Sequence, residues 1–272
     1  LMSEIADVLG MEADAQDYKK LYEDIRAAFI KKYLRNGTLE GNTQTAYALA
    51  LNQGLIPEDQ TSRAVYNLVR DLQVRDYHFS TGFVGLPQLL PVLTQINRLD
   101  LAYRLLLNDT FPSWGFEIQN GATTIWERWD GWTPEFGFQD PGMNSFNHYA
   151  YGAVGEWMYT TIAGIDTEGA GYQSILIKPR PGSDFAFVKA KYHAITGWIG
   201  SEWYDSAEKY TMKVRIPPNT TAKVYVKARD AESVTESGKA IPGMKHVAYV
   251  GYDEGYAIYQ VDSGYYVFES KK

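Results

Sequence analysis

Tyr210-Thr-Met212-Lys-Val214-Arg-Ile216-Pro-Pro-Asn219-Thr-Thr-Ala222-Lys-Val224-Tyr-Val226-Lys-Ala228 is the stretch that decides how the second half of this chain folds. Met212, Val214 and Ile216 alternate with Lys213 and Arg215; Ala222, Val224 and Val226 alternate with Lys223, Tyr225 and Lys227. A period of two sends successive side chains to opposite sheet faces, so each run reads as a half-buried strand. Pro217-Pro218-Asn219 supplies the turn between them. Similar runs are expected over 174–178, 185–193, 197–204, 257–261 and 265–269. Short strands spaced by turns predict an antiparallel β-sandwich.

Upstream the period changes. Tyr18, Leu21, Tyr22, Ile25, Ala28 and Phe29 recur at three and four, the stripe of an amphipathic helix. Asp14 stands where an N-cap is expected and Asn36-Gly37 where a C-terminal stop is expected. Further helices are predicted over 43–53, 57–74, 84–96 (with Pro91 bending or splitting it), 99–107 and 145–162. Gly-rich loops at 78–85 and 110–144 separate them. Loops longer than about 12 to 15 residues are usually functional or disordered, and the aromatic density here speaks against disorder. Helix pairs joined by long loops, followed by strands, predict an α + β multidomain chain. Residues 1–165 form part of an α/α toroid and residues 166–272 the sandwich. About half the helices of a closed toroid are visible. The opening Leu1-Met2-Ser3-Glu4-Ile5 reads as the end of a running helix rather than a signal peptide, so the chain is expected to start inside a larger protein.

Four of the seven tryptophans fall between Trp114 and Trp132, among Glu117, Glu127, Asp130 and several glycines. Indole faces pack against the C–H face of a sugar ring while carboxylates accept from its hydroxyls, so this mixture favours a carbohydrate site over a plain aromatic core. Glu127 is the candidate catalytic carboxylate, with Arg128 or Thr124 holding it ionised and Trp126 and Trp129 excluding water. The plainer reading is an ion pair with Arg128 or Arg180. Trp114, Trp129 and Trp132 either stack on a sugar or brace the loop, while Glu117, Asp130, Glu135 and Asp140 read as a solvated acidic rim. Trp157 is expected in a helical core; Trp198 and Trp203 are expected in the sandwich core or at its border with the helices. His78 is left open, and His193 and His246 read as structural or exposed.

The totals exclude several classes. A net charge of −7 leaves nothing to neutralise a run of phosphates, so nucleic acid is not an expected partner. No apolar run reaches the roughly 18 to 20 residues needed to cross a bilayer. Zero cysteines exclude disulfides and thiolate metal sites and leave the compartment open. Asp and Glu follow no EF-hand spacing, and neither a metal nor a cofactor is expected.

Four stretches carry a family resemblance: Asn42-Thr-Gln-Thr-Ala-Tyr-Ala-Leu-Ala-Leu51, Ser80-Thr-Gly-Phe-Val-Gly85, Gly121-Ala-Thr-Thr-Ile-Trp-Glu-Arg-Trp-Asp-Gly131 and Asn144-Ser-Phe-Asn-His-Tyr-Ala-Tyr-Gly152. In this order they resemble the C-terminal part of bacterial α-L-rhamnosidases of glycoside hydrolase family 78, whose final domain the Val214–Asn219 turn region is also similar to. The resemblance implies an inverting hydrolase on an (α/α)6 barrel that releases terminal α-L-rhamnose from a glycoside. It makes Glu127 the general base and His148, in the first turn of the helix expected after Ser145, a contact to the sugar. The family's general acid, a Glu in an Asp-Glu-Arg-x-Gly-Trp stretch, has no counterpart; Asp24-Ile25-Arg26 and Trp129-Asp130-Gly131-Trp132 are the nearest strings and do not match. The isolated chain is therefore expected to be inactive. With half a toroid missing, apolar faces near 18–29 or 84–96 should lie uncovered, ready for self-association or for the missing N-terminal portion. Two alternatives stay open: another (α/α)-barrel glycosidase, such as a fucosidase or uronyl hydrolase, and a non-catalytic carbohydrate-binding protein.

Overall fold

Thr43 opens the helix that anchors the first half of the molecule: its hydroxyl accepts from the Ala46 amide (3.2 Å), satisfying one of the donors a helix start leaves orphaned. The computed structural model describes residues 1–182 and 185–272, in two compact units, Leu1–Ala153 and Val154–Lys272. Helices of the first unit are α1 (Met2–Val8), α2 (Glu12–Tyr33), α3 (Gln44–Asn52), α4 (Glu58–Val74), α5 (Leu86–Gln95), α6 (Leu99–Leu107) and α7 (Trp114–Gln119). Two small hairpins join them, β1 (Leu34–Arg35) with β2 (Thr38–Leu39) and β3 (Trp132–Thr133) with β4 (Gly137–Phe138). Ala48, Leu68, Leu72, Leu89, Leu93 and Leu105, from α3 to α6, are fully buried together as the core.

Several local expectations need correcting. Met11, not Asp14, is the N-cap of α2, and Asp14 falls in its first turn, where a negative charge still suits the positive helix end. Asn36-Gly37 does not stop that helix. Both residues have positive φ (50° and 74°) and form the two-residue turn of the β1–β2 hairpin. Pro57 precedes α4 as its N-cap. Pro91 does not split α5, which runs unbroken through it: it forfeits one bond to the Pro87 carbonyl, and the burial of Leu89, Leu90, Val92 and Leu93 outweighs that loss. The expected helix over 145–162 is a 3-10 turn (Tyr151–Ala153), one α-helical turn α8 (Val154–Trp157) and a π turn (Met158–Ile162). Residues 145–148 cannot join it because their backbone is bonded to 125–127. Of the two apolar faces expected bare, that of α2 is exposed at Tyr18, Leu21, Tyr22 and Ile25, whereas that of α5 is buried.

The second unit holds two sheets. One has the order β13-β14-β10-β6-β5 and the other β12-β11-β15-β9-β8-β7. The strands are β5 (Ile165–Thr167), β6 (Ser174–Ile177), β7 (Phe187–Ala194), β8 (Gly197–Asp205), β9 (Lys209–Ile216), β10 (Thr221–Lys227), β11 (Val234–Glu236), β12 (Lys239–Ala240), β13 (Val247–Asp253), β14 (Tyr256–Val261) and β15 (Gly264–Lys271). Met212, Val214, Val224, Val226 and Phe268 are buried between the sheets, and the Tyr259 and Phe268 rings stack across them at 5.5 Å. One pair breaks the antiparallel rule: β6 and β10 run parallel, because the chain leaves for three strands in the other sheet before returning beside β6. Trp203 is fully buried and donates from Nε1 to the Ile162 carbonyl (2.8 Å). Trp157 is buried as expected; Trp198 is not, lying on the outward sheet face, 40% exposed. Among the described residues no helix is long and apolar enough to cross a membrane.

Gly164, at φ +72°, leads into β5, and a Cβ there would overlap the Lys178–Pro179 peptide. Gly164→Ala is expected to cost about 2 to 4 kcal/mol, from left-handed strain plus backbone overlap. Urea unfolding reads this directly, and an unchanged midpoint would contradict the packing described.

Candidate active site

Two segments distant in sequence run side by side in the first unit. The Glu127 amide donates to the Ser145 carbonyl (2.9 Å), the His148 amide donates to the Ile125 carbonyl (2.9 Å), and the Thr124 hydroxyl donates to the Phe146 carbonyl. This stitching draws the backbones at Glu127 and His148 into neighbouring positions on the paired segments, and both residues are half-buried. The Ser145 amide in turn donates to Glu127 Oε2 (2.8 Å). One carboxylate oxygen is thus fixed by a backbone N–H, while Oε1 has no hydrogen-bond partner among the described residues. No ion pair among the described residues involves Glu127, and the plainer reading of the sequence fails here. Arg128 is committed to Asp130 through a two-pronged contact (2.6 and 2.9 Å), which holds the Asp130 carboxyl below its ordinary range. Among the described residues neither Arg128 nor Thr124 hydrogen-bonds the Glu127 carboxylate; the Ser145 amide does.

His148 is not in a helix. Its Nδ1 accepts from the Ala150 amide (3.3 Å), which assigns the ring proton of the neutral form to Nε2. That N–H has no partner among the described residues. The imidazole lies parallel to Tyr149 at 5.5 Å and tilted against Phe83 at 6.1 Å; both neighbours are exposed.

Beneath these segments the tryptophans build a floor. Trp129 stacks on Phe79 (5.0 Å) and on Tyr151 (4.1 Å), meets Trp114 edge-on (5.5 Å) and donates from Nε1 to the Thr81 carbonyl (3.0 Å). Trp126 is buried edge-on against Phe146 (5.1 Å). Trp114, Trp126 and Trp129 are each at most 8% exposed. In this chain they brace the loop from below, and their rings are spent on protein partners. Trp132, half-buried in β3, has no ring partner among the described residues and keeps a face available.

Gln44, which no local pattern in the sequence marks, ties the floor to α3: fully buried, it accepts from the Ser80 amide (2.8 Å) and donates to the His78 carbonyl (2.9 Å). His78 itself bonds Thr110 Oγ1 (2.8 Å) and the Arg75 carbonyl, a loop fastener. Asp130, Glu135 and Asp140 line a cleft of about 840 Å³ with Phe111, Phe116, Phe136 and Phe138. Glu117 is no rim residue. It is 2% exposed, its Oε1 is unpartnered, and desolvation pushes its carboxyl up to about 8.

Comparison with known proteins adds the decisive observation. Residues 1–162 match the bacterial alpha-L-rhamnosidase 6 hairpin glycosidase domain, and residues 164–240 match the bacterial alpha-L-rhamnosidase C-terminal domain. The chain belongs to the bacterial α-L-rhamnosidase family. It is 42% identical over 269 residues to an α-L-rhamnosidase of Streptomyces avermitilis, covering 98% of this chain and 25% of that protein. One from Formosa agariphila is 36% identical over 273 residues, 100% of this chain and 30% of that protein. Among solved structures, the Streptomyces avermitilis enzyme complexed with L-rhamnose superposes with a TM-score of 0.90 over 99% of this chain and 25% of that one. The enzyme from Dictyoglumus thermophilum, 33% identical, superposes with a TM-score of 0.88 over 99% and 30%. This chain thus spans about 25 to 30% of the length of those relatives. The agreement extends across both units, so the helical and sheet portions alike have the family's fold.

Proposed function

We propose that this chain carries the water-activating half of an inverting α-L-rhamnosidase site. Glu127 is the general base, Nε2–H of His148 donates to a hydroxyl of the terminal rhamnose, and the half-buried Trp132 indole packs against the ring. The observation that supports this most directly is the one-sided fixation of Glu127. Ser145 holds Oε2 and orients the carboxylate, leaving Oε1 able to accept a proton from a water molecule. Inversion requires a second carboxyl group about 6.5 to 9.5 Å away, protonated and poised at the leaving oxygen. The acid motif of the family has no match in these 272 residues. The reading assigns that acid to a part of the whole enzyme outside these residues, which the greater length of the relatives supports. The substrate is a rhamnose-terminated glycoside, which the names of the relatives support.

Proton NMR of the first-formed sugar tests the assignment in an enzyme containing this segment. Inversion delivers β-L-rhamnose from an aryl α-L-rhamnoside before mutarotation. Initial release of the α-anomer would overturn the inverting assignment and with it the role of Glu127 as a dedicated general base, since a retaining enzyme uses its two carboxyl groups as nucleophile and as acid/base.

A further inference from the structure

The outward face of the six-stranded sheet differs in character from the rest of the chain. Its registers align His193 with Trp198, Lys191 with Gly200, Arg215 and Tyr265, and Lys189 with Glu202 and Lys213. In a chain of net charge −7, this patch sets four cations, Lys189, Lys191, Lys213 and Arg215, against the single carboxylate of Glu202. None of the four enters an ion pair among the described residues. Lys191 Nζ lies 5.2 Å from the Trp198 ring centre and Lys213 Nζ lies 5.5 Å from that of Tyr204. An aromatic face holds a cation in place without cancelling its charge.

Lined by Trp198, Lys191, Glu202, Lys213, Arg215 and Tyr265 is a hollow of about 260 Å³. Gly200 is its floor: a Cβ there would meet Arg215 Cβ at 3.2 Å, so a larger residue would fill the space. Trp198 stands on one side and Tyr265, mostly exposed, on another.

We propose that this hollow binds an acidic saccharide, a uronate-bearing oligosaccharide. A neutral sugar would use the two rings and leave the cations idle. A small inorganic anion would use the cations and leave the rings idle. A uronate uses both: its ring C–H face packs on Trp198 or Tyr265, its carboxylate meets Arg215 and Lys191, and its hydroxyls donate to Glu202. Glu202, set between Lys189 and Lys213, interrupts the positive row that a polyphosphate or an anionic bilayer would need. The surface uses none of the groups assigned to hydrolysis, and its ligand is judged independently of Glu127.

The test is calorimetric titration of the 272-residue chain with trigalacturonate and with its methyl ester, which has the same skeleton without charge. Trp198→Ala and Arg215→Gln replace exposed side chains, and circular dichroism confirms that each variant folds. Binding of the acid, weakened at high salt and by about tenfold or more in each variant, with little binding of the ester, is the expected result. Three outcomes overturn the proposal: no binding of the acid by the unmodified chain, equal binding of acid and ester, or variants that bind as well as the parent. Capture of phosphatidylglycerol vesicles that is lost in the same variants, without binding of trigalacturonate, also overturns it and assigns the face to a lipid surface.

Discussion

Glu127→Gln is expected to lower the kcat for rhamnoside hydrolysis by roughly 10²- to 10⁴-fold while KM changes little, the signature of a lost general base. The substitution is nearly isosteric. Its amide oxygen still accepts from the Ser145 N–H, and the backbone bond from residue 127 to Ser145 is untouched. On the proposed mechanism, the variant therefore keeps the loop geometry and the proposed sugar contacts and loses only the proposed ability to take a proton from water. Steady-state kinetics on an aryl α-L-rhamnoside, with rhamnose binding measured in parallel, separate these effects. Turnover within a fewfold of the parent enzyme would remove Glu127 from the mechanism. A loss of rhamnose binding as large as the loss of turnover would make it a binding residue instead.

The second large effect concerns stability. Burial alone pushes the Glu117 carboxyl from 4.5 up to about 8, and the Tyr151 hydroxyl, in the same surroundings, is pushed upward as well. Below pH 4.5 the group is protonated in both folded and unfolded chains. Above it the unfolded chain releases the proton and the folded chain keeps it, so stability falls by about 1.4 kcal/mol for each pH unit, then levels off above about 8. Glu117→Gln has no proton to release. Relative to the variant, the parent chain should lose on the order of 4 kcal/mol between about pH 5 and about pH 9, because other titrating groups cancel in the comparison. Urea midpoints across that interval measure the difference. Parallel profiles for the two proteins would mean that the carboxyl is already ionised at neutral pH.

The elements legible in the sequence are those whose own periodicity determines them. The sequence marks α3, α4 and α6 to within a residue or two because each buries a continuous apolar stripe, and β9 and β10 because each alternates without interruption. What escaped depends on partners far away along the chain. The residues from Ser145 onward look helical in isolation, but the segment containing Ile125 and Glu127 claims their backbone first. The parallel β6–β10 pair joins strands more than 40 residues apart, and no local pattern records that choice. α7 is six residues long, too short for a period to emerge. At the site, Glu127 and His148 stood out through family resemblance, whereas the burial of Glu117 has no local signature. It arises from the packed helix and ring cluster around it. The sequence admitted two roles for the tryptophans, and three of them went to packing because protein rings reached them first.

The stitched pair of segments has a consequence for divergence within the family. The excursion from Arg128 to Asn144 departs from and returns to the same clasp, and Asn144 closes it by donating to the Gly131 carbonyl (2.9 Å). Insertions or deletions between those gateposts are expected to lengthen or shorten the excursion while the bonds that hold Glu127 and His148 stay in place. On the proposed function, changes confined to this excursion would alter the surroundings of the site while leaving the frame that holds Glu127 and His148 in place.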